Sequence, residues 1–205
     1  YAIYPPGCLR LDPATGATIA EFQLPLVEGE QVPPTWNYVN ATGDSGVLEE
    51  SIHFLEGRPV NPGDDSYYDL PRRSAESASV YEHCVRAIEH GLQYGVHGLP
   101  LMGSGDWNDG MNLVGIKGTG ESVWLGFFLC AVLTQFAELA RGKGDATFAD
   151  RCGAEGVKLR HNLELHGWDG AWYRRAYFDD GSPLGSATDV ECRIDSVPQS
   201  WSVLS

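Results

Sequence analysis

From Ser74 onward the apolar positions of the chain recur with a helical period. Tyr81, Cys84, Val85, Ile88 and Leu92 return every three or four residues with charges between them, which predicts an amphipathic helix. Ser74 or Ser77 can cap its start, and Gly91 or Gly95 can end it. The stretch from about Glu121 to Ala140 is apolar nearly all round, contains the run VWLGFFLCAVL at 123–133 and is closed by Gly142. It predicts a helix buried on most of its faces. Asp145 is a good cap for a third helix, which carries Phe148, Cys152, Leu159 and Leu163 to about Leu165. Residues 171–185, AWYRRAYFDDGSPLG, switch to aromatic-rich alternation around a Gly and Pro turn, the pattern of a hairpin or extended excursion. A last helix opens near Asp195.

The N-terminal part reads differently. Prolines at 5, 6, 13, 25, 33 and 34 remove backbone donors and hold the chain in turns or extended segments. Residues 1–34 are therefore expected to be a Pro-rich stretch of loops and short strands ahead of a helical domain over 35–205. Within TWNYVNATGDSGVLEESIHFL one helix is predicted near 35–41 and another near 45–55, parted by Gly43 and Asp44. Long helices in series with irregular, glycine-rich connections make the expected class all-α, a toroid or bundle whose loops carry the function.

Composition narrows the partners. A chain of 205 residues with 42% hydrophobic content can bury a sizeable core. Its 14 Lys and Arg against 28 Asp and Glu give a formal charge of −14, which repels phosphate backbones and anionic headgroups, so neither nucleic acid nor a membrane surface is expected as a partner. The apolar run at 123–133 is flanked by Glu121 and Thr134 and falls short of the roughly 18 residues of a membrane helix. Cys8, Cys84, Cys130, Cys152 and Cys192 are odd in number, scattered and free of any C-x-x-C pair. They fit neither a disulfide framework nor a zinc knuckle, and predict a reducing, cytoplasmic setting. The chain opens at Tyr1 without a signal-like segment and stops inside the apolar pattern SWSVLS, so it is expected to be a piece of a longer polypeptide.

Chemistry is expected in the connection HGLPLMGSGDWNDGMNLVGIKGTGES, residues 97–122. Gly98, Gly103, Gly105, Gly110, Gly115, Gly118 and Gly120 let the backbone take positive φ and approach a ligand closely. Leu99, Leu101, Met102, Trp107, Met111 and Leu113 need burial that a floppy linker does not offer. Several sites fail on spacing. Counted from Asp106, the sixth and twelfth positions of an EF-hand would be Met111 and Lys117 instead of Gly and Glu. GIKGTG lacks the dinucleotide order, and there is no Gly-Lys-Ser or Gly-Lys-Thr for a Walker loop. Ser104 has no G-x-S-x-G elbow. His83, His90 and His97 would stand roughly 10 Å apart on one helix, too far to share a metal, so no metal site is expected. What remains is carboxylate chemistry beside an indole. An aromatic face covers the apolar side of a pyranose while carboxylates and amides bind its hydroxyls, and glycosidic cleavage needs a carboxylic acid to protonate the departing oxygen.

GLPLMGSGDWNDGMNLVG, GESVWLGFFL and WYRRAYFDDGSPLGSATDVECRIDSVPQSWSVLS closely resemble the catalytic domain of glycoside hydrolase family 94. That family holds β-glycan phosphorylases and the C-terminal region of cyclic β-1,2-glucan synthases, the latter nearest. The resemblance implies part of an (α/α)6 barrel, with Asp109 as general acid and Trp107, Asp106 and Asn108 as substrate-binding residues. Asp106 would brace the loop or bind a hydroxyl, and Asn108 would hold a turn or touch ligand. The implied reaction is inverting: inorganic phosphate, the co-substrate, attacks the anomeric carbon of a β-linked glucan, β-1,2 favoured, and releases α-glucose 1-phosphate with no other cofactor. The implied partners are a β-glucan oligosaccharide, phosphate and the rest of the parent polypeptide, with the segment cytoplasmic in an inner-membrane synthase or a stand-alone enzyme. A hydrolase on the same barrel, or a non-catalytic carbohydrate-binding piece of a larger synthase, are the alternatives. Further sugar-binding residues are implied before this stretch and phosphate-binding residues after it.

Overall fold

The computed structural model describes residues 7–11, 18–23, 32–58, 70–103, 105–106 and 108–205, with 7–11, 18–23 and Asp109 as backbone alone. The chain divides into two compact units, Tyr1–Ala87 and Ile88–Ser205. In the first, β1 (Gly7–Leu11) and β2 (Thr18–Gln23) pair antiparallel with Cys8 opposite Phe22. The remainder of 1–34 up to residue 31 lies outside the described residues. Helix α1 (Val32–Thr42) has Pro33 and Pro34 in its first turn, where a missing N–H has no intrahelical partner to lose. It ends at Gly43, φ +72°, whose N–H bonds Val39 O at 2.8 Å.

Beyond α1 the expected helix near 45–55 is not formed. Asp44 Oδ1 accepts from Gly46 N at 3.0 Å and starts a 3-10 turn, Ser45–Glu49. The chain then straightens into β3 (Ser51–Glu56), antiparallel to β4 (Arg72–Ser79). Strand β4 takes the residues expected to open the amphipathic helix, because cross-strand bonds outweigh the helix propensity of RRSAESAS. Ser74 Oγ donates to Glu56 Oε1 at 2.5 Å, and Ser74 O bonds His53 Nδ1 at 2.9 Å. Helix α2 (Val80–Gly91) thus starts after the strand, and its cap is Ser79 instead of Ser74 or Ser77, with Ser79 Oγ accepting from Glu82 N at 3.1 Å.

The second unit is built on an αα-hairpin. After a 3-10 turn at Asp109–Met111 and the short helix α3 (Asn112–Gly115) comes β5 (Glu121–Ser122), which leads straight into α4 (Val123–Lys143). Helix α4 runs past Gly142 to a left-handed cap at Gly144, φ +91°. It is long and apolar enough to cross a membrane, but 67% of its apolar window is buried inside the protein, as a core helix requires. Asp145 Oδ1 accepts from Phe148 N at 3.0 Å and caps α5 (Ala146–Asn162). Phe148, Ala149, Cys152, Gly156 and Leu159 form the buried stripe of α5, and Phe148 meets Phe136 of α4 edge to face at 5.7 Å. A π-helical turn, Leu163–Gly167, prolongs α5 and brings Leu163 against α4, so close that a Cβ on Gly126 would lie 2.9 Å from Leu163 Cδ2. The excursion at 171–185 forms β6 (Ala176–Tyr177) and β7 (Pro183–Leu184), joined by β5 in a three-stranded antiparallel sheet of order β5-β6-β7. Helix α6 (Ser196–Leu204), capped by Asp195, places Trp201 against Trp124 and Phe128 of α4. The described chain is mostly helical with few strands; β1 and β2 fall in the stretch where short strands are expected, while β3 and β4 go beyond the hairpin expected at 171–185.

Candidate active site

The glycine-rich connection is tied down near both of its ends. Glu121 in β5 is 1% exposed, and its Oε1 accepts from the backbone N–H groups of His97 and Leu99, each at 3.1 Å. Its Oε2 meets His97 Nδ1 at 2.5 Å, and the His97 ring stacks on Tyr177 of β6 at 3.9 Å. At the other end Asp179, in the turn after β6, accepts from the N–H groups of Lys117, Thr119 and Gly120 at 2.8–2.9 Å. Desolvation would raise the Asp179 pKa, but these three donors outweigh it and hold the carboxyl below its ordinary value. Between the anchors the backbone approaches itself closely at glycines. A Cβ on Gly120 would stand 2.5 Å from both Gly115 Cα and Val114 O, contacts no larger residue can make.

The motif DWND sits in the middle of this frame. Asp106 is buried, and both of its oxygens face Arg175 Nη2, at 2.8 Å for Oδ1 and 2.7 Å for Oδ2. Asp106 Oδ2 also accepts from Ser122 Oγ at 2.9 Å and Oδ1 from Asn108 N at 3.1 Å, so its acceptor positions are filled by protein donors. Ser122 Oγ accepts in turn from Arg175 Nη1 at 3.2 Å and from Leu125 N at 3.1 Å, the latter as N-cap of α4. Arg175 is 2% exposed and reaches with Nε to Asp195 Oδ2, at 3.5 Å, the cap of α6. Its backbone is locked between Leu184 O and Val123 N, at 2.8 and 3.2 Å. Asn108 is exposed, and its Oδ1 accepts from Gly110 N at 3.1 Å, capping the turn Asp109–Met111. At the end of that turn Met111 packs on Met102, Val114 and Ala176. Trp107 and the side chain of Asp109 lie outside the described residues. A cavity of about 260 Å³ is lined by Met111, Arg175, Leu184, Cys192, Ile194 and Asp195.

Three residues that organise this region carry little signal in the sequence. In the sequence Arg174 and Arg175 read equally as contacts to sugar or phosphate, as solvated side chains or as partners of Asp179 and Asp180; in the structure Arg174 pairs with Asp169, Arg175 with Asp106 and Asp195, and Asp179 holds backbone. Glu121 reads in the sequence as the polar first residue of the apolar helix, whereas it lies in β5. The usable hint for Arg175 is a cation inside an aromatic alternation, a position that demands a buried anion. Among the described residues no three His, Cys, Asp or Glu side chains gather in a cluster that could hold a metal ion.

Comparison with known proteins settles the family. The model of the glycosyl hydrolase 94 superfamily, catalytic domain, matches residues 29–205. The chain belongs to the glycosyl hydrolase 94 superfamily. Over 170 residues it is 46% identical to the cyclic beta-(1,2)-glucan synthase NdvB of Rhizobium meliloti (strain 1021), covering 82% of this chain and 6% of that protein. It is 34% identical over 177 residues to solabiose phosphorylase of Paenibacillus borealis, covering 85% of this chain and 21% of the phosphorylase. Identity to N,N'-diacetylchitobiose phosphorylase of Vibrio furnissii is 32% over 177 residues, 85% of this chain and 19% of that enzyme. The chain thus spans between 6% and 21% of the length of these family 94 relatives.

Proposed function

We propose that this chain is the acid-bearing part of an inverting family 94 enzyme that transfers glucosyl units of β-linked glucans to phosphate, with β-1,2-glucan as the favoured substrate. The observation that carries the proposal is a complete Asp106-Trp107-Asn108-Asp109 motif on a loop held by buried ion pairing, in a chain that matches the family over 29–205. Asp109 is the general acid. Its carboxyl proton passes to the glycosidic oxygen as the C–O bond breaks, while a phosphate oxygen forms the new bond to the anomeric carbon from the opposite face. The anionic nucleophile needs no base, so one carboxyl suffices and inorganic phosphate is the only co-substrate. Trp107 covers a sugar face and Asn108 contacts a hydroxyl. Helices α4, α5 and α6 belong to an (α/α)6 barrel completed by the rest of the polypeptide. The preference for β-1,2 linkage rests on the higher identity to the glucan synthase than to the phosphorylases compared.

The test uses the full-length polypeptide that carries this chain. Asp109→Asn should keep sugar binding and lower phosphate-dependent release of glucose 1-phosphate by at least ~10²–10⁴-fold. Release of free glucose at equal rate with and without phosphate would point to the hydrolase instead, and turnover of Asp109→Asn at the wild-type rate would remove Asp109 from the role.

A further inference from the structure

Three elements of the second unit meet at one buried guanidinium. Arg175 Nη2 bonds both oxygens of Asp106 at 2.7–2.8 Å, Nη1 bonds the Ser122 hydroxyl at the start of α4, and Nε faces Asp195 at the start of α6. Asp106 stands three residues before Asp109, and two hydrogen bonds tie Asp106 to the turn that Asp109 opens. Asp106 Oδ1 takes the N–H of Asn108, and Asn108 Oδ1 takes the N–H of Gly110 inside the turn that Asp109 opens. Met111 closes that turn on the apolar cluster of Met102, Val114 and Ala176. The turn is therefore fixed at one end by packing and at the other by a charge pair whose cation is itself fixed to two helix starts.

We propose that Arg175 is a positioning residue for the general acid: by holding Asp106 against the starts of α4 and α6 it sets where the Asp109 turn stands relative to the helices. This rests on the proposed role of Asp109. Arg175 touches no reacting atom in this account; it fixes the distance over which Asp109 delivers its proton. Lysine cannot replace it, because an ammonium is a point donor whereas the guanidinium fork serves Asp106, Ser122 and Asp195 at once. A displacement of about 1 Å at a reacting group is enough to cost ~10²-fold in rate.

The test separates positioning of the acid from general damage by changing the leaving group. In the full-length polypeptide, phosphorolysis of a β-1,2-linked glucan is compared with that of 2,4-dinitrophenyl β-glucoside, whose phenolate departs without a proton. Arg175→Lys should lower kcat on the glucan by ~10²-fold while the aryl glycoside retains most of its rate. An equal loss on both donors, or no loss on either, overturns the proposal. Asp195→Asn, which keeps an oxygen to cap α6 but removes the charge facing Nε, should show the same selectivity at smaller size, and carries the test if Arg175→Lys does not fold. Asp109→Asn in parallel tells the two ideas apart. If it shows the selective loss and the Arg175 and Asp195 variants do not, Asp109 remains the acid and the positioning role is lost. If Asp109→Asn spares the glucan, the role of Asp109 itself fails, and the positioning proposal with it.

Discussion

Glu121 offers a sharp test of how the glycine-rich connection is ordered. Its carboxylate lies directly on the backbone of Gly95, where an added Cβ would stand 2.4 Å from Glu121 Cδ, and it accepts from His97 N, Leu99 N and His97 Nδ1. Glu121→Gln can leave its amide oxygen where Oε1 is, so both backbone donors stay paired. What changes is the bond to His97, which passes from a charge-assisted one worth about 1.5–3 kcal/mol to a neutral one worth about 0.5–1.5. The expected loss is ~1–1.5 kcal/mol, or about 5- to 13-fold in a local opening constant. Glu121→Leu removes every acceptor and strands two N–H groups, at about 1–3 kcal/mol each. Leu99 is fully buried, so no water reaches its amide, and the narrow space beside Gly95 leaves the branched side chain no compensating fit. A loss of ~2–6 kcal/mol should speed amide hydrogen exchange over residues 97–101 by at least 30-fold. Exchange there within twofold of wild type in Glu121→Leu would refute the argument that this carboxylate orders the loop.

Other outcomes follow from the same structure. Phe136 of α4 is fully buried against Phe148, so Phe136→Ala should cost ~3–5 kcal/mol and open the α4–α5 hairpin to limited proteolysis, with unchanged cleavage counting against the packing. Burial pushes the Cys130 and Cys152 thiols up to about 11 while Cys192 is exposed; Cys192→Ser should therefore abolish a fast phase of labelling by a thiol reagent that Cys130→Ser leaves intact. Desolvation, with His97 beside it, holds the His166 pKa below its ordinary value, so the unfolded chain binds the proton more readily and stability should fall as pH drops below about 6.5, the unfolded value. His166→Gln should flatten that slope, and an unaltered slope would reject the assignment.

Local rules made the second unit legible. Asp145 and Asp195 cap α5 and α6 where short-range chemistry places them, and the near-uniform apolar run became the buried helix α4. The first unit resisted for a physical reason: β3 and β4 are separated by residues 57–71, and strand pairing at that distance leaves no local periodicity to read. RRSAESAS is good helix sequence until a partner strand supplies acceptors. The motif itself was visible because four consecutive residues carried the resemblance. Its supports were hidden because they are long-range: Arg175 stands 69 residues from Asp106, and Asp179 59 to 62 residues from the amides it holds.

Three carboxylates hold this loop, and their number has a common cause. A glycine-rich stretch presents backbone N–H groups with few side chains to satisfy them, and each buried donor left unpaired costs free energy. A hydroxyl or amide oxygen serves one or two donors, whereas an ionised carboxylate has about four acceptor positions and prefers charge-assisted geometry. Glu121 takes two backbone amides and an imidazole, Asp179 takes three amides and the Thr119 hydroxyl, and Asp106 takes an amide, a hydroxyl and a guanidinium. A glycine-rich loop therefore recruits acids for reasons unrelated to proton transfer. Counting carboxylates near such a loop overstates its catalytic groups, and a carboxylate whose acceptor positions are all filled by the protein has no lone pair left for substrate. By that criterion Asp106, Glu121 and Asp179 are holders of the loop.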